Sequence, residues 1–218
     1  MKSIIAIAAG AIVATLLAGE AGATIIAERS GTFNEVIGDN ADALNFTTTV
    51  PFTNVAISAF FGSIGSTPGS GTVYLTDSIG AGTTVADEIA RITLTNIAVA
   101  TGAEPPITLF TGLTLLPGSY FLILANDTGS QGIGIGGTSM PTETTSAGTL
   151  IGKDLFTNDD PLALYSPASS FSFPVLSDTL FEVTGDAQLS NIPEPSTALI
   201  LVTAVVGLTA MRRRRKPS

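Results

Sequence analysis

The chain has 218 residues, a formal net charge of −9, and no cysteine, histidine or tryptophan. Those absences exclude a disulfide framework, thiolate or imidazole metal sites and every histidine-dependent triad. Six of the nine basic residues sit at the two ends, leaving Arg29, Arg91 and Lys153 against sixteen acids between Thr24 and Asn191; so acidic a body excludes nucleic acid as a partner, because phosphates demand Lys and Arg, and reads as a solubilising coat.

The first stretch, MKSIIAIAAGAIVATLLAGEAGA, has one cation at Lys2, an apolar run from Ile4 to Ala18, and Ala21 and Ala23 in an A-x-A arrangement. This is the pattern of a secretory signal peptide: the cation stays on the cytoplasmic side, the apolar run enters the membrane, and a peptidase needs small side chains beside the bond it cuts. Cleavage is expected after Ala23, with residues 1–23 removed. The competing reading, an uncleaved anchor, asks for roughly 20 apolar residues, more than this run supplies.

From Thr24 to Asn191 turn formers recur every eight to twelve residues with β-branched, alternating stretches between them, which predicts an all-β, jelly-roll-like β-sandwich of short strands. TNVAISAFFG places Val55, Ile57, Ala59 and Phe61 on one face. GTVYLTD places Val73 and Leu75 inward and Thr72, Tyr74 and Thr76 outward, and RITLT sets Ile92 and Leu94 against Arg91, Thr93 and Thr95. Leu116-Pro117-Gly118-Ser119 is expected to form a type II turn where two strands meet, with Gly118 at positive φ. The continuous apolar run from Tyr120 to Ala125 predicts a central strand buried on both faces. A late pair, SFSF and TLFEVTG, is expected to close the sheet.

Three features of this body invite a chemical reading. QGIGIGG satisfies G-x-G-x-x-G through Gly132, Gly134 and Gly137, but no helix-forming stretch follows to meet a pyrophosphate, so a flexible Gly-rich strand and loop is the expectation. Acids cluster at Asp39-Asn40-Ala41-Asp42, at Asn126-Asp127 and from Asp154 to Asp160. Calcium takes six to eight oxygens, and Asp159 and Asp160 are the first candidates for such a site; Asx-turns account for the same clusters. Carbohydrate binding wants exposed planar rings, for which Tyr74 and Tyr165 are available while Tyr120 is expected to be buried. The sequons at Asn45 and Asn126 are read as carrying no glycan, and no other cofactor is expected.

The chain closes with NIPEPSTALILVTAVVGLTAMRRRRKPS. Pro193 and Pro195 make an extended spacer around Glu194, Ser196 or Thr197 can cap a helix from Ala198 to Met211, and Arg212, Arg213, Arg214, Arg215 and Lys216 hold that end in the cytoplasm by the positive-inside bias. Short as it is, the helix crosses a thin bilayer if the arginine stems snorkel. A plain single-span anchor shares these properties.

Pro193–Glu194–Pro195, the apolar helix and the arginine run at the extreme terminus resemble the PEP-CTERM protein-sorting signal of Gram-negative bacteria that make extracellular polymers, here over residues 192–218. The resemblance implies recognition of Pro193–Glu194–Pro195 by a membrane-embedded exosortase, loss of the helix and tail, and delivery to the cell surface or to the matrix of a biofilm. The partners so implied are the secretion machinery, signal peptidase, exosortase, the membrane and exopolysaccharide. Residues 24–191 are then the exported domain, loosely similar to the sandwich ectodomains found ahead of such signals. The expectation is a non-enzymatic surface or matrix protein, with a carbohydrate-binding module, calcium-dependent or not, as the alternative; no nucleophile and base can be assembled from these residues for a hydrolase.

Overall fold

The computed structural model describes residues 23–33, 35–37, 41–102, 104–126, 132–157, 164–172 and 178–188. These form fifteen strands: β1 (Thr24–Ser30), β2 (Glu35–Ile37), β3 (Ala41–Thr48), β4 (Phe52–Ala59), β5 (Phe61–Ser63), β6 (Gly69–Thr76), β7 (Glu88–Ile97) and β8 (Ile107–Leu115), then β9 (Gly118–Asn126), β10 (Ile133–Thr138), β11 (Thr142–Thr145), β12 (Thr149–Ile151), β13 (Leu155–Thr157), β14 (Asp178–Thr179) and β15 (Phe181–Ala187). The described part is all-β, as expected.

The strands make three antiparallel sheets. One runs β11-β1-β15-β4-β8, the second β12-β3-β9-β6-β7 with β13 also on β3, and the third is centred on β10, flanked by β14, β2 and β5. The first two face each other as a β-sandwich: Ile26, Val55, Ile57 and Val183 from one meet Leu44, Phe46, Val73 and Leu122 from the other in a single core. Each such side chain taken out of water contributes about 1.5–3 kcal/mol. Among the described strands the chain changes sheets at every connection except β6–β7 and β12–β13. Among the described strands β6 and β7 are the only sequence neighbours that pair, and the pairs β4–β8, β3–β9 and β1–β15 nest around them in sequence.

The alternating faces hold. Val55, Ile57, Ala59 and Phe61 are all buried, although the strand breaks at Phe60 and Phe61 continues in the third sheet; strands that switch sheets are the usual way to turn a sandwich corner. The run from Tyr120 to Ala125 is the middle strand of its sheet, with Leu122 and Leu124 in the main core and Ile123 and Ala125 in a second apolar cluster on the opposite face with Ala41, Ala43 and Leu155.

Four local expectations need correction. Thr76 is fully buried although its unbroken pairing with Phe121 of β9 keeps it on the outer face with Tyr74, and its hydroxyl donates to the Ser78 carbonyl at 2.6 Å. Gly118 is not among the residues at positive φ. The strands that meet there, β8 and β9, lie in different sheets, so Leu116–Pro117 is a sheet-to-sheet crossing. The crossing is fastened by Tyr120, whose hydroxyl donates to the Leu116 carbonyl four residues back, with Thr48 donating to the same oxygen at 3.2 Å; a tyrosine corner uses the same device. Among its described residues SFSF supplies a single bridge, Ser172 to Phe156, whereas TLFEVTG supplies the start of β15, between β1 and β4. The Gly-rich run, finally, supplies the expected strand, β10, but an enclosed one: every residue of β10 is buried. A Cβ at Gly134 would stand 2.3 Å from the Ile37 carbonyl oxygen and one at Gly136 2.1 Å from the Phe33 ring, so glycine is what lets the third sheet close onto its neighbours.

Candidate functional site

Most residues singled out by sequence lie outside the described part: Ala21, Asp159, Asp160, Pro193, Glu194, Pro195 and Arg212 to Arg215. Ala23 is described, exposed and immediately ahead of β1. Among the described residues no group of three carboxylates is placed to hold a metal ion, and two of the amides singled out by sequence make structural contacts. Asn126 accepts from the Ile133 amide at 2.7 Å, and the Asn45 amide donates to the Lys153 carbonyl at 2.6 Å.

Tyr74 and Tyr165, the two rings expected to be available, come together. Tyr74 stands on β6, and Tyr165 comes from the strap of residues 164–172 that lies over the outer face of the β3-β9-β6 sheet; their centroids are 5.6 Å apart, edge to face. The strap is held by Pro167, whose carbonyl accepts from Gly80 at 2.7 Å, by the Ser172–Phe156 bridge and by Phe171 packed on the second apolar cluster. Around the rings stand two residues of β7 that sequence reasoning passed over. Arg91 lies over the Tyr74 ring at 5.2 Å and grips Glu88 with Nε at 3.0 Å and Nη2 at 2.8 Å, while the Tyr165 hydroxyl donates to the same carboxylate at 2.7 Å. The Arg91 hydrogen bonds hold the Glu88 carboxyl below the usual carboxylate range, against a smaller opposing effect of burial. Tyr165 is pushed well above the ordinary phenol range, first by burial and then by the Glu88 carboxylate it serves. The signal that could have found this cluster is charge: Arg91 is one of only three cations in an acidic body, and Glu88 stands three residues before it.

Arg29 was legible only as another of those cations, and it is held by three carboxylates, a carbonyl and a ring. It is 2% exposed. Its Nη1 meets Asp154 at 2.7 Å and lies 3.9 Å from Asp178, its Nε donates to Glu143 at 3.0 Å, its Nη2 donates to the Gly152 carbonyl at 3.0 Å, and the guanidinium covers the Phe181 ring at 5.8 Å. Asp154 in turn accepts from the Thr179 amide at 2.6 Å. Burial pushes the Asp154 carboxyl up, outweighing the pull of Arg29. For Arg29 burial acts against the charge, and Asp154, Glu143 and Asp178 overcome it and raise its pKa. One guanidinium thus ties β1 and β11 of the first sheet, the β12–β13 connection of the second and β14 of the third. A stack of rings, Phe181, Phe46 and Tyr120, runs from it to the Leu116 crossing.

An open groove of about 410 Å³ lies at the start of β7, between Ile89, Asp77 and the Thr114–Tyr120 crossing. The sequence matches no protein-family model and no curated protein.

Proposed function

We propose that this is an exported surface or matrix protein without enzymatic activity: a jelly-roll domain, residues 24–191, delivered by a signal peptide and sorted through a C-terminal PEP-CTERM signal. The observation that carries the reading is where the domain's ends lie. β1 begins at Thr24, next to the A-x-A alanines, β15 ends at Ala187, five residues before Ile192, and Thr24 is paired with Gly185. Removal of both end segments would leave every described strand intact. The nested strand order supports the jelly-roll assignment, a fold used by lectins and capsids. The described clusters at Arg29 and Arg91 are occupied in cross-bracing, which supports a display role over a catalytic one.

The test is sorting. In the native host, Glu194→Ala should leave the protein in the membrane fraction while the unaltered chain reaches the surface or medium; equal distribution of the two would count against the signal.

A second reading, binding of exopolysaccharide, is favoured by the meeting of Tyr74 and Tyr165 beside Arg91 and Glu88, since aromatic side chains with polar tips are enriched at binding surfaces. Glycan-array binding that Tyr165→Ala abolishes would support it, and silence with and without calcium would remove it.

A further inference from the structure

The sandwich has two long edge strands, β7 and β8, and they differ. Among the described strands β7 pairs only with β6 and β8 only with β4. β8 is blunted: Gly112 sits at φ 70° and its ladder with β4 shifts register three times. Bulges of this kind keep an edge from recruiting another chain. β7 keeps an uninterrupted five-residue ladder from Ala90 to Leu94, with one register shift on either side of it, between Glu88 and Ala90 and between Leu94 and Ile97, where Asn96 takes φ 59°. The opposite side of the sandwich ends in strands of three or four residues, β11, β12 and β13, and short edges of this kind protect themselves.

Charge selects the occupant. β7 and β8 together carry one acid and one base, Glu88 and Arg91, already paired with each other. The rest of the exported body holds fifteen acids against Arg29 and Lys153. Two copies of so acidic a domain repel each other except along this neutral strip. The strip is also where the core is least covered: Ala90, Ile92 and Ile97 of β7 and Ile107 and Leu113 of β8 make up five of the seven partly buried residues packed against the main core.

We propose that the outer edge of β7 is a self-association edge, on which a second copy adds its own β7 antiparallel across a twofold axis. A register centred on Ile92 keeps inward faces together, sets Ala90 opposite Leu94 and Arg91 opposite Thr93 of the other copy, and brings no like charges face to face. The contact is isologous and closes on itself as a dimer.

Because the chain has no cysteine, a single introduced one reports a single contact. The full chain in mild detergent is compared as Thr93→Cys, on the β7 edge, and as Thr144→Cys, on the β11 edge, with a short bismaleimide. The proposal expects crosslinked dimers from the first only. In sedimentation, Thr93→Lys should weaken the dimer at least about tenfold by placing a charge on the edge, with an unchanged melting temperature; should that variant unfold, Thr95→Lys does the same at the next exposed position. A wild-type chain that stays monomeric up to about 100 µM, equal crosslinking of both cysteines, or a dimer that survives the lysine variants, as association through the apolar ends would, overturns the proposal.

Discussion

Two assemblies in this molecule are built from the same parts, an arginine, carboxylates and an aromatic ring, and burial makes them different objects. Around Arg29 the guanidinium and Asp154 are out of water, with the half-exposed Glu143 and Asp178 at the margin, and the cluster ties three sheets together; around Arg91 the guanidinium side chain is 44% exposed and ties a strap to one sheet. In the buried pair, losing Arg29 or Asp154 leaves the other charge with nowhere to go, whereas at the surface water takes the partner's place. Chemistry alone therefore does not rank the two arginines.

The sharpest way to break the comparison is Arg29→Met. Removing one member of a buried pair costs roughly 3–5 kcal/mol, measured by urea unfolding, and here it strands Asp154. The Asp154 pKa is already raised in the fold by burial, so its contribution is present below the unfolded carboxylate range and lost as pH rises through the folded value; without Arg29 the deficit of the variant should grow from acid towards neutral pH. Adding Asp154→Leu should recover part of the loss. A cost below about 1 kcal/mol would mean the buried pair behaves like a surface pair.

Next comes Tyr120→Phe, at the far end of the ring stack. It deletes the corner hydrogen bond and should cost about 0.5–1.5 kcal/mol, Thr48 still serving the Leu116 carbonyl. Combined with Arg29→Met the effects should add, as expected of sites without shared partners; strong non-additivity would show that the stack couples them.

Glu88→Gln should cost only about 0.2–1 kcal/mol, screened as an exposed pair is. The folded Glu88 pKa is lowered, chiefly by Arg91, so its stabilisation is present above the unfolded value of about 4.3 and lost as pH falls through the folded one; the Gln variant should lack that acid-side loss. Smallest in energy is the phenol itself. In an ultraviolet titration Tyr165 should stay neutral well past the free-tyrosine range, and Glu88→Gln should bring it down.

Much of the fold was legible because side-chain period reports burial directly: Val55, Ile57 and Ala59, Val73 and Leu75, and the doubly buried run at Tyr120–Ala125 all declare their faces. The Leu116–Pro117 crossing was not, because a tight turn looks the same whether it joins neighbours or opposite sheets. Gly134 and Gly136 were hidden for a related reason: a residue without a side chain leaves no hydrophobic signal however deeply it is packed. Tyr74 and Tyr165 could be named as candidates, but not their meeting, which depends on a strap 91 residues away along the chain. Arg29 was least visible, since a charge in a strand reads as a surface position and its partners Glu143 and Asp154 lie 114 and 125 residues further on.

The proposed role requires the sandwich to be an exported body with two removable ends. Intact mass spectrometry of the protein recovered from the surface or medium of its host tests this most directly. The expected species begins at Thr24 and lacks the apolar run and the arginine tail; recovery of an uncut 22.1 kDa chain from that fraction would contradict it.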